Sequence, residues 1–319
     1  MQRRKLGHSH LEVTPLFLGG NVFGWTIDDA TSFAVLDAYL EAGGNSIDTA
    51  DVYSTWVPGH VGGESEAVLG RWFKARGNRD QVILATKVGS RMGSGKEGLS
   101  RQHILASVED SLKRLQTDYI DLYQSHRDDP NMPLEETLQT FDELVRQGKV
   151  RAIGASNYTA PRLAEALRVS EQHGYARYES IQPFYNLVER QDYEQALEPL
   201  IRAQEVGVIP YSSLASGFLS GKYQPGQVLP QTARAQGVKS KYMNERGFST
   251  LKAVESIAQA HNATPSQVAL AWLIARPGIT SPIASATSVA QVRELIGAAE
   301  LTLSAVEIEA LNNVGSARI

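Results

Sequence analysis

Gln81-Val82-Ile83-Leu84-Ala85-Thr86-Lys87 is a short apolar run rich in β-branched side chains, and it reads as a buried strand. The period then changes. From Arg101 onward, Ile104, Leu105, Val108, Leu112 and Leu115 fall on one helical face. Tyr119 to Tyr123 is the next strand, Leu134, Leu138, Phe141, Leu144 and Val145 mark the next helix, and Lys149 to Gly154 is a strand again. Outward from this stretch, further strands begin near Pro15, Asn45, Ser180, Gly207 and Ile279, which makes eight strand–helix units. Most recur roughly every 30–38 residues, the size of a βαβ unit. Eight such units favour an α/β fold of the (β/α)8 TIM-barrel type over an open doubly wound sheet.

Local signals agree. Thr264-Pro265-Ser266-Gln267 carries an N-cap hydroxyl, a proline at the first helical position and a glutamine placed for a capping box. Before Pro15, the segments Arg3–Leu6 and Glu12–Val13, joined at Gly7-His8-Ser9, form an expected N-terminal β-hairpin over one end of the barrel. Between Ser212 and Ser249, after strand 7, the periodicity weakens, and a long loop acting as a lid or clamp is expected there. No linker divides the chain, so residues 1–319 are taken as one domain.

Composition narrows the function classes. The chain has 319 residues, 42% hydrophobic and 21% charged, as in an ordinary folded protein. A net charge of −4 and a pI near 6.0 point to neither nucleic acid nor an anionic membrane surface as partner. Zero cysteines remove disulfides, thiolate catalysis and sulfur-ligated metals, and no other ligand cluster suggests a metal. No secretory h-region follows the basic N-terminus, and no run approaches the roughly 18 apolar residues of a membrane span. A cytoplasmic protein is expected. No sequence feature speaks to oligomeric state.

The glycine-rich stretch Gly19-Gly20-Asn21-Val22-Phe23-Gly24 fits neither the dinucleotide fingerprint nor the phosphate loop, and a tight turn accounts for it equally well. In a barrel, chemistry sits at the C-terminal ends of the strands. Those ends carry Asp48 with Tyr53 in the following loop, then Lys87, His126, Ser156 with Asn157, Gln182 and Tyr211. Asp48, Tyr53, Lys87 and His126 compose an acid–base set. A cation such as Lys87 lowers the pKa of a nearby phenol, Asp48 compensates a buried Lys87, and His126 can hydrogen-bond a substrate oxygen. Together such groups would protonate a carbonyl oxygen as hydride reaches the carbon. Taken singly, each also reads as an ordinary cap, ion pair or core residue. Only their joint placement favours catalysis.

The motifs Gly44-Asn45-Ser46-Ile47-Asp48-Thr49-Ala50-Asp51-Val52-Tyr53, Gly63-Glu64-Ser65-Glu66, Ala85-Thr86-Lys87-Val88, Gln124-Ser125-His126-Arg127, Ile153-Gly154-Ala155-Ser156-Asn157 and Ile209-Pro210-Tyr211-Ser212-Ser213-Leu214-Ala215-Ser216-Gly217 span nearly the whole chain. In them the sequence resembles the aldo-keto reductase superfamily, particularly its aryl-alcohol-dehydrogenase-like and potassium-channel β-subunit-like branches. The resemblance implies a barrel binding NADP(H), with NAD(H) as the less favoured partner, and a small-molecule carbonyl substrate. It implies the catalytic set Asp48, Tyr53, Lys87 and His126, with Tyr53 as general acid. It further implies that Tyr211 stacks on the nicotinamide and that Ser156, Asn157 and Gln182 bond its carboxamide. Gly20 and Asn21 should line the cofactor, while Ser212, Leu214, Ser216, Gly217, Lys222 and Arg234 handle the pyrophosphate and ribose.

At the adenosine end the resemblance assigns Ser285, Thr287, Gln291 and Glu294. Leu295 stands where many relatives carry Asn, Ser285 where some place Lys, and Gln291 where some place Arg. Arg293 reads either as a substitute for that charge or as an exposed helix residue. Phe23, Trp25, Trp56 and Tyr185 are expected on loops facing the nicotinamide, to stack on substrate or to pack the loops together. The alternative function is a regulatory subunit that binds the cofactor with little turnover.

Overall fold

The structure, a computed structural model, describes residues 1–93, 95–232 and 234–315. Ser94, Ala233 and positions 316–319, the end of the span taken as one domain, lie outside the described residues. The chain opens with β1 (Arg4–Lys5) and β2 (Glu12–Val13), paired antiparallel. There follow β3 (Phe17–Gly19), α1 (Asp29–Glu41), β4 (Ser46–Asp48), α2 (Glu64–Arg76), β5 (Ile83–Val88), α3 (Arg101–Leu115), β6 (Ile120–Ser125) and α4 (Leu134–Arg146). Next come β7 (Val150–Ser156), α5 (Ala160–His173), β8 (Tyr178–Gln182), α6 (Glu198–Gln204) and β9 (Gly207–Val208). The chain continues through α7 (Ala235–Tyr242), α8 (Glu245–His261), α9 (Pro265–Ala275), β10 (Ile283–Ala284), α10 (Val289–Gly297) and α11 (Ala305–Gly315).

β3 to β10 form one eight-stranded parallel sheet in the order β10-β3-β4-β5-β6-β7-β8-β9. The sheet curls until its edges meet: the Thr280 amide donates to Val208 O at 2.8 Å and the Ile283 amide to Pro210 O at 2.9 Å. The helical periodicity is realised as burial. On α3, Ile104, Val108, Leu112 and Leu115 are buried and Leu105 is partly covered, and on α4 Leu138, Phe141 and Leu144 are fully buried. Thr264 and Gln267 make the reciprocal capping box of α9.

The stretch after β9, the seventh strand of the eight-stranded sheet in chain order, corrects the expectation of a long loop. It contains a short helical turn at Ala215–Ser220, then α7 and the start of α8. Its apolar residues are too sparse for a clear period, yet Phe218, Leu219, Tyr223, Val238 and Tyr242 are all buried.

A second apolar cluster fills the lower interior of the curled sheet. It comprises Phe17, Ala85, Leu122, Ala152 and Ile283 from the strands and Ile209 just past β9, with Leu6, Leu11 and Val13 of the N-terminal hairpin. Alternate residues of a strand point to the same side. Two positions further along, on the same side as these residues, lie Gly19, Lys87, Gln124, Gly154, Tyr211 and Ser285. The strand period thus converts an apolar floor into a polar layer at the C-terminal end of the sheet.

Candidate active site

Lys87 is fully buried at the top of β5. Its Nζ donates to Asp48 Oδ2 at 2.6 Å, to Thr49 O at 2.8 Å and to Tyr53 OH at 3.2 Å. All three ammonium protons are therefore used, one of them on the phenol. The other carboxylate oxygen of Asp48 accepts Gln182 Nε2 at 2.9 Å and Gln124 Nε2 at 3.3 Å. Asp48 itself is buried on β4, so the pair is held in a shell of two amides and a carbonyl. Burial alone would lower the pKa of Lys87. The negative charge of Asp48 and the bonds to Asp48 and Tyr53 overcome this, and the net direction is upward.

Tyr53 moves the other way from the sequence expectation. Burial raises its pKa above the usual phenol value, the Lys87 charge pulls it down only in part, and Asp48 adds to the rise. The phenol is a proton holder at neutral pH, with a cation placed to stabilise the phenolate once the proton leaves. His126 lies edge-on to Tyr53, with ring centroids 6.1 Å apart. Burial, then the charges of Lys87 and Arg127, hold its pKa well below the usual imidazole value, so the ring is neutral. Its Nδ1 is buried and without a hydrogen-bond partner among the described residues.

The next strands supply amides and a ring. Ser156 Oγ donates to Gln182 O at 3.0 Å. Asn157, in the left-handed region at φ 58°, donates to His126 O at 2.9 Å and accepts from Tyr211 OH at 2.9 Å. Gly20 sits where a Cβ would lie 3.0 Å from Ser65 Oγ and 3.1 Å from Asp48 O, so the first loop passes directly over the Asp48 strand end. Ser285 Oγ donates to Asn21 Oδ1, joining the last strand to that loop.

Ser212, Ala215, Ser216 and Gly217 all have positive φ. The Lys222 ammonium would lie 3.1 Å from a Cβ on Gly217. Burial, then the neighbouring positive charge of Arg234, lowers the Lys222 pKa. Neither cation forms an ion pair among the described residues. An ammonium against a left-handed turn, with a second cation close enough to depress its pKa, suits a diphosphate, and Arg234 also lines a cavity with Trp25, Trp56, Val57 and Pro58. Leu214 caps that turn and is partly buried.

At the adenosine end, Gln291 Oε1 accepts both the Thr287 amide at 2.7 Å and Thr287 Oγ1 at 3.0 Å. Glu294 accepts Thr264 Oγ1 at 2.8 Å. Both are thus engaged within the protein, while Arg293 projects from α10 into solvent.

Four aromatic residues were expected to face the nicotinamide. Trp56 is exposed and forms a wall with Trp25 and Tyr53, at centroid distances of 5.8 and 5.6 Å. The other two are corrected. Phe23 is fully buried against Gly20. Tyr185 is fully buried, packs on Tyr193 and Trp272, and donates to Glu194 at 2.7 Å. A buried phenol needs an acceptor, and Glu194 turns this one away from the barrel mouth.

Sequence reasoning overlooked Gln124, although it is the residue two beyond Leu122 on β6 and bonds Asp48 directly. It also overlooked Asp51, a buried carboxylate whose pKa is pushed well up by burial and by nearby Glu66. Beside Tyr53 and His126 an open cleft of about 760 Å³ is lined by Val52, Trp56, Ser90 and Arg127 among others. A partly exposed phenol, an ammonium, a neutral imidazole and an open cleft can together receive a carbonyl compound and protonate its oxygen.

The aldo/keto reductase family model matches residues 15–315. The chain is 34% identical to "Uncharacterized oxidoreductase YrpG" of Bacillus subtilis (strain 168), over 98% of this chain and 96% of that protein. It is 34% identical to "Protein tas" of Escherichia coli (strain K12), over 98% of each. It is 32% identical to a Schizosaccharomyces pombe protein named for a voltage-gated potassium channel subunit beta, over 93% of this chain and 88% of that one. Among the described residues, no helix is long and apolar enough to cross a membrane.

Proposed function

The chain belongs to the aldo/keto reductase family, and from that premise we propose that it is an NADP(H)-dependent reductase of aldehydes or ketones with Tyr53 as the general acid. The observation that carries this reading is the Lys87 ammonium shared between buried Asp48 and the Tyr53 hydroxyl. When bound, the nicotinamide supplies a hydride to the carbonyl carbon. The remaining work belongs to the protein. His126, neutral, donates one N–H to the carbonyl oxygen and orients it. The Tyr53 proton passes to that oxygen as the C–H bond forms, leaving the alcohol and a phenolate. Lys87 stabilises the phenolate, Asp48 holds Lys87 in place, and solvent from the cleft returns the proton.

Tyr211, Ser156, Asn157 and Gln182 form a platform for the nicotinamide end. Lys222 and Arg234 take the diphosphate, and Arg293, free of an intramolecular ion pair among the described residues, reads the 2′-phosphate. Steady oxidation of NADPH with 4-nitrobenzaldehyde tests the reading. Tyr53→Phe should then lose about 10²–10⁴-fold in kcat with the NADPH Kd nearly unchanged, because the phenol proton is spent at the carbonyl. The similarity to the channel-subunit relative supports a second reading, a cofactor-binding regulatory subunit. Tight NADPH binding with no turnover across a carbonyl panel would select it.

A further inference from the structure

We infer that the carbonyl compound reduced by this protein carries a carboxylate, and that Arg127 at the cleft wall receives it. The inference rests on the reductase reading and adds the substrate's chemical class. Five charged side chains line the cleft: Arg91, Glu97, Arg127, Asp128 and Asp129. Four are already answered. Asp128 accepts Arg162 Nε at 2.9 and 3.0 Å. Asp129 accepts the backbone amides of Leu99 at 2.9 Å and Asn131 at 3.0 Å. Arg91 and Glu97 face each other at 3.9 Å on the exposed rim. Arg127 is different: among the described residues its guanidinium has neither a hydrogen bond nor an ion pair.

Its position is as telling as its charge. Arg127 follows His126 directly at the end of β6. Exposed Arg127 lines the same cleft as Tyr53, Trp56 and His126. The guanidinium therefore stands beside the reacting end of the cleft. Its planar fork matches the two oxygens of a carboxylate. On another wall, Trp56 and Tyr53 present ring faces and edges to a flat or apolar body, with Trp25 packed edge-on against Trp56. An aldehyde with an apolar middle and a carboxylate satisfies both walls. A neutral aldehyde leaves Arg127 to water.

The test uses 2-, 3- and 4-carboxybenzaldehyde, each against its methyl ester, which keeps the shape and removes the charge. For at least one pair, wild-type kcat/KM for the acid should exceed that for the ester by about tenfold or more, the worth of one charge-assisted contact. Arg127→Gln should collapse that ratio to near one. Arg127→Lys, which keeps the charge without the fork, should fall between. The inference is overturned if no acid is preferred over its ester, or if Arg127→Gln lowers acid and ester equally. Turnover of the esters alone would leave the reductase reading standing while removing this one. No turnover of any pair while 4-nitrobenzaldehyde is reduced would overturn this inference alone, and no turnover of 4-nitrobenzaldehyde either would overturn both.

Discussion

Replacing Lys87 by Met separates the electrostatic role of the pair from its chemical role. The Lys87 side chain is 0% exposed and that of Asp48 is 3% exposed, so the substitution leaves a carboxylate in a site that water barely reaches. Among the described residues two amide donors remain, Gln182 at 2.9 Å and Gln124 at 3.3 Å. Breaking one side of a buried pair typically costs about 3–5 kcal/mol, because the surviving charge is uncompensated. That is a large share of the roughly 5–15 kcal/mol that holds a domain folded. The deficit should shrink as pH falls, since the stranded carboxylate can then take up a proton. Adding Asp48→Asn to Lys87→Met removes the stranded charge and should restore at least about 2 kcal/mol, while activity stays lost in both variants. Urea unfolding followed by tryptophan fluorescence gives the stabilities, and NADPH oxidation with 4-nitrobenzaldehyde gives the activities. If the double variant is as unstable as the single one, the cost lies in lost packing and the charge argument fails. If Lys87→Met keeps its activity, Lys87 does not stabilise the phenolate.

The pH profile of reduction follows from two opposite shifts. Tyr53, raised, keeps its proton as pH rises to its ordinary range and loses it above, while His126, lowered, stays neutral throughout. Reductive kcat should be flat from about pH 6.5 to 9 and fall only above about pH 10; an alkaline limb centred near pH 8 would contradict the Tyr53 shift, provided chemistry limits the rate. Gly20→Ala should destabilise the fold by about 1–3 kcal/mol, because its Cβ meets Ser65 Oγ and Asp48 O at 3.0 and 3.1 Å. It should also weaken NADPH binding, read by quenching of tryptophan fluorescence, and a fully stable Gly20→Ala protein would show that the loop can move aside. Tyr185→Phe should cost about 1 kcal/mol through the lost bond to Glu194. Its KM and kcat should stay within about twofold of wild type, and a selective rise in KM would return Tyr185 to the substrate pocket.

How much of this was legible in the chain depended on the range of the forces involved. Strand and helix periods are local, so QVILATK, the face of α3 and the capping box of α9 were readable at once, as were the strand ends carrying Asp48, Lys87 and His126. The region from Ser212 to Ser249 hides its helices because its apolar residues pair across the segment, Phe218 with Tyr242 and Phe248, and follow no local period.

Direction of side chains was harder still. Tyr185 and Trp56 look alike in sequence. Only the packed structure supplies Glu194 as the buried acceptor that draws one inward, while the other stays 47% exposed. The net pKa of Tyr53 likewise required the balance of burial against one ammonium, which no motif encodes. By itself the sequence determined which side chains stand at the strand ends, because strand parity is a property of the backbone. Tertiary structure alone decided which of them meet and which charges are answered and which, like Arg127 among the described residues, are not, because desolvation and ion pairing depend on neighbours from distant parts of the chain.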